Sequence, residues 1–585
     1  MFSLFLNFTQ KRIKKMLLSI YKIRNIKLNL TTFLRHLEKG FPLFLIAEKY
    51  YKETTNNTKL IIDGSGFMFQ ILEECNSDMF SLDQFFKKMY SICLLNHIQL
   101  IFVFDGMTQP IKFHESISRL IQQSKENKKF FSKPSTVNEL PITIFSGLKR
   151  SIKYLLLKYG FECVRAYAEA DPVIIEKSVE VNAYGVVTSD SDFYLSKANI
   201  VFNTSNFIKL FLKVINERNH PNLKIYFKGI RTSDVISYFN FNKDFIPLFS
   251  CICGNDFTKS LSRKLRKRLN IVENINVIND VVNYFRKTEF TPITLLNFLQ
   301  STLSKNDFDL LKAALKQINR MCCITPPSIE TIRKEEVSPL PPEKFPNCYY
   351  SFSITLSAIS VASFPSLRCW DKFDSPAFVC SKIRSLLYSL VQPNSEVIEY
   401  FDNKSNDVRI GHSIKTGINV DGDLCHWLDL LKFPIKSIQL VQKWKDNCVE
   451  FWKIMTFITM KYIQIYSSDF SNFAFCVVTW YSLCSQYPNV YQPPEYRPKR
   501  KVDHRMPIHL FTYIHGISYH LLEIVIDRCD IDYHFVEQFY SPNLYTFSKI
   551  YDKSNTDTLF LRLDELCKND EIFNEICDAL NLKKN

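Results

Sequence analysis

Glycine is scarce in this chain of 585 residues, with only 13, and none of them builds a G-x-G-x-x-G or G-x-x-x-x-G-K-[ST] loop. Such loops cradle nucleotide phosphates with backbone N–H groups, so their absence argues against an ATPase or a dinucleotide-dependent enzyme. The 17 cysteines contain no C-x-x-C pair and no zinc-finger spacing. Cys251 and Cys253 are one residue apart, Cys322 and Cys323 are adjacent, and no disulfide framework emerges. Reduced thiols in the cytosol or nucleus fit a large chain of this kind. The 11 histidines form no evident triad or zinc cluster. Uninterrupted apolar runs of membrane-spanning length are missing as well. The uncharged stretches 348–367 and 470–487 are broken, the first by serines and Pro365, the second by Ser, Asn, Thr and Gln. Both are poor spans, and no membrane partner is expected. Acid is absent before Glu38, while Lys11, Arg12, Lys14 and Lys15 cluster. Such a start reads either as a mitochondrial presequence or as an extension from a misplaced start codon.

Apolar residues make up 46% of the chain and charged residues 23%, the composition of a globular protein with real cores. The length implies two or three domains. The 50 Phe and 28 Tyr are many, and biased codon usage is one reading of them. A net charge of +15 favours an anionic polymer as partner.

Against that positive background, seven carboxylates stand where strands or helices should end. Asp63 follows the apolar run Leu60-Ile61-Ile62, and Asp105 follows Leu100–Phe104. Glu169 and Asp171 lie in AEADP, Asp190 and Asp192 in VVTSDSDF, and Asp256 in LFSCICGNDF. Continuous apolar runs bounded by turn residues predict strands buried on both faces of a parallel sheet, here 59–63, 99–104 and 184–188. A helix is predicted over 82–96 between the first two, giving a βαβ unit. Ligands bind at the carboxyl ends of such strands. Carboxylates gathered there repel one another unless a cation lies among them, and hard divalent ions with oxygen ligands suit the need. Two such ions form the usual apparatus for phosphodiester hydrolysis. Each motif also has a plainer reading. Pro172 favours the first helical position, so Asp171 is expected to N-cap a helix over 172–182. Asp190 and Asp192 fit an Asx-type turn.

The set DGSG, FDG, EAD, TSDSDF and GNDF, in this order, resembles the flap endonuclease/XPG nuclease superfamily with its PIN-like fold. Within it the chain is most similar to the asteroid family. The resemblance covers residues 25–275 well. It covers 365–412 loosely, through DSPAFVCSKIRSLLYSLV and EYFDNKSNDVRI. It implies an α/β, PIN-like/XPG nuclease domain with a mainly parallel central sheet, plus a mostly helical C-terminal region. It further implies a structure-selective nuclease holding two Mg²⁺ or Mn²⁺ ions. Asp190, Asp192 and Glu169 would ligate one ion. Asp63, Asp105 and Asp171 would complete the shared site, and Asp256 would be a more distant member. Lys112 and Arg119, 7 and 14 residues after Asp105 as in flap endonucleases, would steady the scissile phosphate. The expected substrate is DNA, branched or at a single-stranded/duplex junction, with RNA as an alternative. The N-terminal Met-Gly-[Ile/Val]-x-Gly-Leu of the superfamily corresponds here to Ile26–Leu34 without its glycines, and the Gly-x-Gly turn after the GNDF motif is missing. Some relatives, including constitutive coactivators and post-transcriptional regulators, use the fold as a non-catalytic nucleic-acid-binding or protein scaffold. That is the alternative reading.

Basic residues cluster in two places. The arch-like insertion 107–160 carries ten Lys/Arg against three Glu, with Lys125, Lys128 and Lys129 beside Lys112 and Arg119. After Asp256 come Lys259, Arg263, Lys264, Arg266, Lys267 and Arg268, with no acid between Phe257 and Val272. Both runs are expected to bind phosphates with counterion release, or else to be solvated faces. The expected organisation is a basic extension 1–24, the nuclease domain 25–275, a helical extension 276–323, a Pro-rich linker 324–347 and a helical region 348–585. Helical patterning marks 371–392, 425–433 and 438–464. A second Pro-rich loop, 488–507, contains RPKRKV (Arg497–Val502), which suggests a nuclear location, with cytoplasm or mitochondrion as alternatives.

Overall fold

The structure is a computed structural model describing residues 50–51, 58–74, 79–106, 112–131, 148–166, 168–216, 227–255, 257–271, 277–322, 361–363, 376–391, 396–401, 412–420, 422–447, 450–466, 477, 514, 516–518, 520–521 and 556–582. The extension 1–24, the linker 324–347, the loop 488–507 with Arg497–Val502, and Asp256 lie outside the described residues. The chain divides into two compact units, the larger formed by Tyr50–Ser189, Ala198–Gly229 and the C-terminal part, the smaller including Asp190–Lys197 and Ile230–Ile324.

The larger unit is α/β. The run ending at Asp63 forms β2 (Thr58–Asp63), which pairs in parallel with β3 (Ile98–Phe104) from Thr58↔Ile98 to Asp63↔Val103. Leu60, Ile61 and Ile62 are wholly buried, as a strand covered on both faces requires. β4 (Glu162–Arg165) adds in parallel beyond β3, while β5 (Gly185–Thr188) and β6 (Ile200–Asn203) add in parallel on the other side of β2. With β1 (Tyr50–Tyr51) antiparallel to β7 (Phe227–Arg231), the sheet order is β1-β7-β6-β5-β2-β3-β4. Against it pack α1 (Gly64–Glu74), α2 (Met79–Leu95), α4 (Leu148–Lys158), α5 (Ala170–Glu180) and α6 (Thr204–Asn216), and the chain between β3 and α4 holds α3 (Phe113–Phe131). Much of the phenylalanine is structural. Phe67, Phe86, Phe102, Phe161 and Phe202 share one buried core, and Phe67 meets Phe102 edge-on with ring centroids 5.2 Å apart. Each such ring taken from water is worth roughly 1.5–3 kcal/mol.

The smaller unit is helical. A 3₁₀ turn, Ser191–Leu195, accompanies α7 (Thr232–Phe239), α8 (Ile246–Cys253), α9 (Ser262–Arg268), α10 (Val277–Lys287), α11 (Pro292–Thr302) and α12 (Lys305–Cys322). α8 is apolar almost all round and buried along its length, and α10 and α12 pack against it. The Lys197 N–H donates to the Met321 carbonyl at 3.1 Å, fastening the turn segment to the end of α12.

The C-terminal part of the larger unit is mostly helical. It contains β8 (Val361–Ser363), α13 (Pro376–Val379), α14 (Ser381–Val391), β9 (Glu396–Tyr400), β10 (His412–Lys415), α15 (Leu424–Leu430), α16 (Ile435–Asp446), α17 (Phe451–Tyr466), α18 (Thr556–Asn569) and α19 (Glu571–Ala579). The helix expected over 371–392 breaks at Cys380, and that over 438–464 breaks after Asp446. The small sheet β10-β9-β8 was not expected from the sequence. Its strands are short, and the charged Glu396 and Glu399 in β9 disguise them. Glu399 is wholly buried against the equally buried Arg384, which donates to it through Nε at 2.5 Å and Nη2 at 2.7 Å. Tyr388 also donates to Glu399. Among the described residues, no helix is long and apolar enough to cross a membrane.

Candidate metal and nucleic-acid site

The DGSG segment turns β2 directly into α1. At this junction the Gly66 N–H donates to Asp63 Oδ1 at 2.9 Å, and the Thr188 hydroxyl at the end of β5 donates to Asp63 Oδ2 at 2.9 Å. A Cβ on Gly66 would lie 2.5 Å from Asp63 Oδ2, so glycine is what lets the carboxylate sit there. The adjoining Ser65 serves the next strand, its hydroxyl donating to Asp105 Oδ2 at 2.6 Å. Consecutive residues of α1 thus hold two carboxylates that end neighbouring parallel strands. The other oxygen of Asp105 accepts the Ala170 N–H at 3.0 Å, at the start of α5, where helix N–H groups are otherwise unsatisfied. Asp105 is exposed and Asp63 half-buried.

The expectation that Asp171 caps the following helix is corrected. α5 begins at Ala170, Glu169 occupies the N-cap position without a capping hydrogen bond of its own, and Asp171 lies in the first turn. The capping acceptor comes from another strand, Asp105. Glu169 is turned to Lys112 instead, whose Nζ donates to Oε2 at 2.6 Å. The larger unit therefore brings Asp63, Asp105, Glu169, Asp171 and Lys112 to the carboxyl edge of its sheet. Along α3, Arg119 is exposed and reaches Glu115 at 3.4 Å, and Lys125 is exposed. The side chains of Lys128 and Lys129 lie outside the described residues.

Asp190 and Asp192 belong to the smaller unit. Asp190 caps the 3₁₀ turn by accepting the Asp192 N–H at 3.0 Å, the Asx-type geometry expected there. Burial pushes the thiols of Cys251 and Cys253 well up, with the Asp192 charge adding to it. The GNDF turn is organised by buried Asn255, whose Oδ1 accepts the N–H groups of Phe257 at 3.0 Å and Thr258 at 2.9 Å. In α9, Lys259 just before it, Arg263, Lys267 and Arg268 are exposed, and exposed Lys264 pairs with Asp307 at 3.0 Å. Arg266 is a correction. It is buried, and its Nη1 donates to the carbonyl of Ile252 at 2.7 Å and of Cys253 at 3.4 Å, closing the C-terminus of α8. Its task is structural.

Sequence reasoning missed Ser65 and Thr188, which hold the acids in place. Each is a short hydroxyl residue beside a predicted acidic position, a weak signal. The acidic donors at the sheet edge are carboxylate oxygens, which suit a hard divalent cation and not a soft one. Asp63 accepts from the Gly66 N–H and the Thr188 hydroxyl, and Asp105 from the Ser65 hydroxyl and the Ala170 N–H. Among the described residues, no three of His, Cys, Asp or Glu are gathered tightly enough to hold an ion as they stand.

No family model matches the chain. A constitutive coactivator of peroxisome proliferator-activated receptor gamma from Mus musculus is 26% identical over 207 residues, 32% of this chain. That match spans about a quarter (24%) of the relative's length. Among solved structures, the catalytic core of Rad2 in complex with DNA substrate is similar at 16% identity and a TM-score of 0.26, covering 50% of this chain and 84% of that one. The Holliday junction-resolving enzyme GEN1 in complex with product DNA and Mg²⁺ is similar at 15% identity and a TM-score of 0.27, covering 72% and 96%. Overall superposition of this order does not carry an activity across.

Proposed function

We propose that this chain is a divalent-metal-dependent nuclease that hydrolyses phosphodiester bonds in DNA. Asp63, Asp105, Glu169 and Asp171 would hold Mg²⁺ or Mn²⁺, and the basic residues of α3 would grip the strand. One observation carries the reading. Ser65 and Gly66 aim two carboxylates, at 2.6 Å and 2.9 Å, from the ends of neighbouring parallel strands. Carboxylates held at the ends of neighbouring strands are suited to share a hard divalent cation. When bound, such ions acidify water and neutralise phosphoryl charge.

The residues do the rest. Thr188 and Gly66 bond both oxygens of Asp63, and Ala170 and Ser65 both of Asp105, which limits how far either acid can move on binding. Lys112 keeps Glu169 paired and holds a proton at Nζ that a phosphate oxygen can accept. Arg119 lies seven residues further, about 10 Å along the helix axis, where it can meet the adjoining backbone. The asteroid-type assignment, a second ion, and the membership of Asp190, Asp192 and Asp256 in the ligand set are proposed on sequence order alone. A nuclear location is proposed on the same footing from Arg497–Val502.

A second reading is a non-catalytic scaffold. It is favoured by the likeness to a coactivator over 32% of the chain and by the missing N-terminal glycines. Labelled 5′-flap, 3′-overhang and hairpin DNA, incubated with purified chain and Mg²⁺, Mn²⁺ or chelator, separate the two. Cleavage that needs metal supports the nuclease. No metal-dependent cleavage of any substrate leaves the scaffold.

A further inference from the structure

β9 alternates sharply between its faces. Val397 and Glu399 are wholly buried, and Phe401 follows them in the same parity, while Ile398 and Tyr400 point the other way. The first face is clamped to α14, since Arg384 and Tyr388 both donate to Glu399 and the Arg384 guanidinium lies 6.0 Å from the Phe401 ring centre. On the second face Ile398 is exposed, and Tyr400 meets α3. Tyr400 stands edge-on to Phe113 with ring centroids 5.4 Å apart at 67°, and neighbouring β8 packs against α3. Phe113 opens α3, and on the same helix face lie buried Leu120 and Ser124, seven and eleven residues on. Arg119 and Lys125 are exposed. Lys112 immediately precedes Phe113, and its ammonium bonds Glu169 at 2.6 Å.

We propose that Tyr400 is a positioning residue for the candidate site, acting through Phe113 on Lys112, so that the C-terminal sheet seats the basic helix. The physical case is one of leverage. Lysine has a long, flexible stem, and holding its head against Glu169 requires a fixed backbone at its root. An edge-on aromatic pair at the next residue supplies that, and the buried Arg384–Glu399 pair makes the strand beneath it rigid. The C-terminal region then works as part of the site and not as a separate module. The mechanistic part of this proposal rests on the nuclease reading; the positional part does not.

The test uses the full chain with Tyr400→Ala and Tyr400→Phe, read by hydrogen exchange of residues 113–124 and by the acylation rate of Lys112 under a dilute amine-reactive active ester. Tyr400→Ala is expected to raise both about fivefold, the equilibrium weight of one aromatic pair, while exchange in β2 stays unchanged. Tyr400→Phe keeps the ring and is expected to behave as wild type. Phe113→Leu removes the other ring and must reproduce the effect, which guards against a general loss of fold at Tyr400. Unchanged exchange and acylation in Tyr400→Ala would overturn the proposal, as would a Tyr400→Phe effect of equal size. If wild type cleaves DNA, Tyr400→Ala should lower kcat about fivefold with KM little altered. If wild type is inactive with either metal, the nuclease reading fails, and exchange and acylation decide the role of Tyr400.

Discussion

Lys112 Nζ sits 2.6 Å from Glu169 Oε2, with 14% and 13% of the two side chains exposed. A pair so far withdrawn from water is sensitive to the loss of one member, because the other loses a close countercharge. Lys112→Ala and Glu169→Ala are each expected to lower stability by about 1–3 kcal/mol. The double variant should cost less than the sum. Chemical denaturation of all three checks this, and strict additivity would show that the pair is not coupled.

Gly66→Ala places a methyl 2.5 Å from Asp63 Oδ2. The carboxylate must then swing away from its N–H and hydroxyl donors. Metal-dependent cleavage should fall at least about tenfold, since remote misplacement of this order has that effect, with far-UV circular dichroism unchanged. Gly64→Ala differs, because its Cβ meets the Phe104 ring at 2.7 Å. It is expected to cost about 1–3 kcal/mol of stability by overpacking.

Asp190→Ala combined with Asp192→Ala should abolish cleavage and leave DNA binding intact or tighter, since affinity comes from Lys and Arg on phosphates. Lys112→Ala with Arg119→Ala should weaken binding and flatten its salt dependence, the log–log slope falling by about 1–2. Filter binding across a salt series, beside the cleavage assay, measures both. Robust cleavage by the double-aspartate variant would mean that the activity belongs elsewhere.

His520 provides a pH test. Burial, and then the Arg384 guanidinium 3.4 Å from its Nε2, hold its pKa well below 6.5. The unfolded chain takes up a proton near that ordinary value, whereas the folded chain resists it. The stability it contributes is therefore whole above pH 6.5 and lost as the pH falls toward the lowered folded value. Melting temperature should drop between pH 7 and 5 more steeply in wild type than in His520→Gln. Parallel curves would refute the assignment.

Arg266 and Lys267 are neighbours in sequence with opposite expected behaviour. Arg266→Ala strips two carbonyls of α8 of their donor and should cost about 2 kcal/mol, with DNA binding at matched folded fraction unchanged. Lys267→Ala, exposed, should leave stability within about 0.5 kcal/mol and reduce the salt slope of binding. Thermal melts and a binding titration separate them.

The strands ending at Asp63, Phe104 and Thr188 were legible because burial on both faces leaves a continuous apolar run, a local signal. The small sheet around β9 was not, since a strand whose inward face carries Glu399 reads as a surface segment until Arg384 is seen beside it. Arg266 looked like its five basic neighbours for a related reason. Charge is written in the sequence, but which side of a short helix faces α8 is not.

The chain's sequence by itself determined the acidic positions, their order, the basic excess and the parallel α/β plan, all of which follow from residue type and short-range periodicity. What only the tertiary structure decided is who holds each acid. Ser65 reaches Asp105 across 40 residues, Ala170 across 65, Lys112 reaches Glu169 across 57, and Thr188 reaches Asp63 across 125. These donors are ordinary Ser, Ala, Lys and Thr whose meaning comes from the strand that folding lays beside them. A hydrogen bond acts over about 3 Å, and no local pattern encodes which distant segments will come that close.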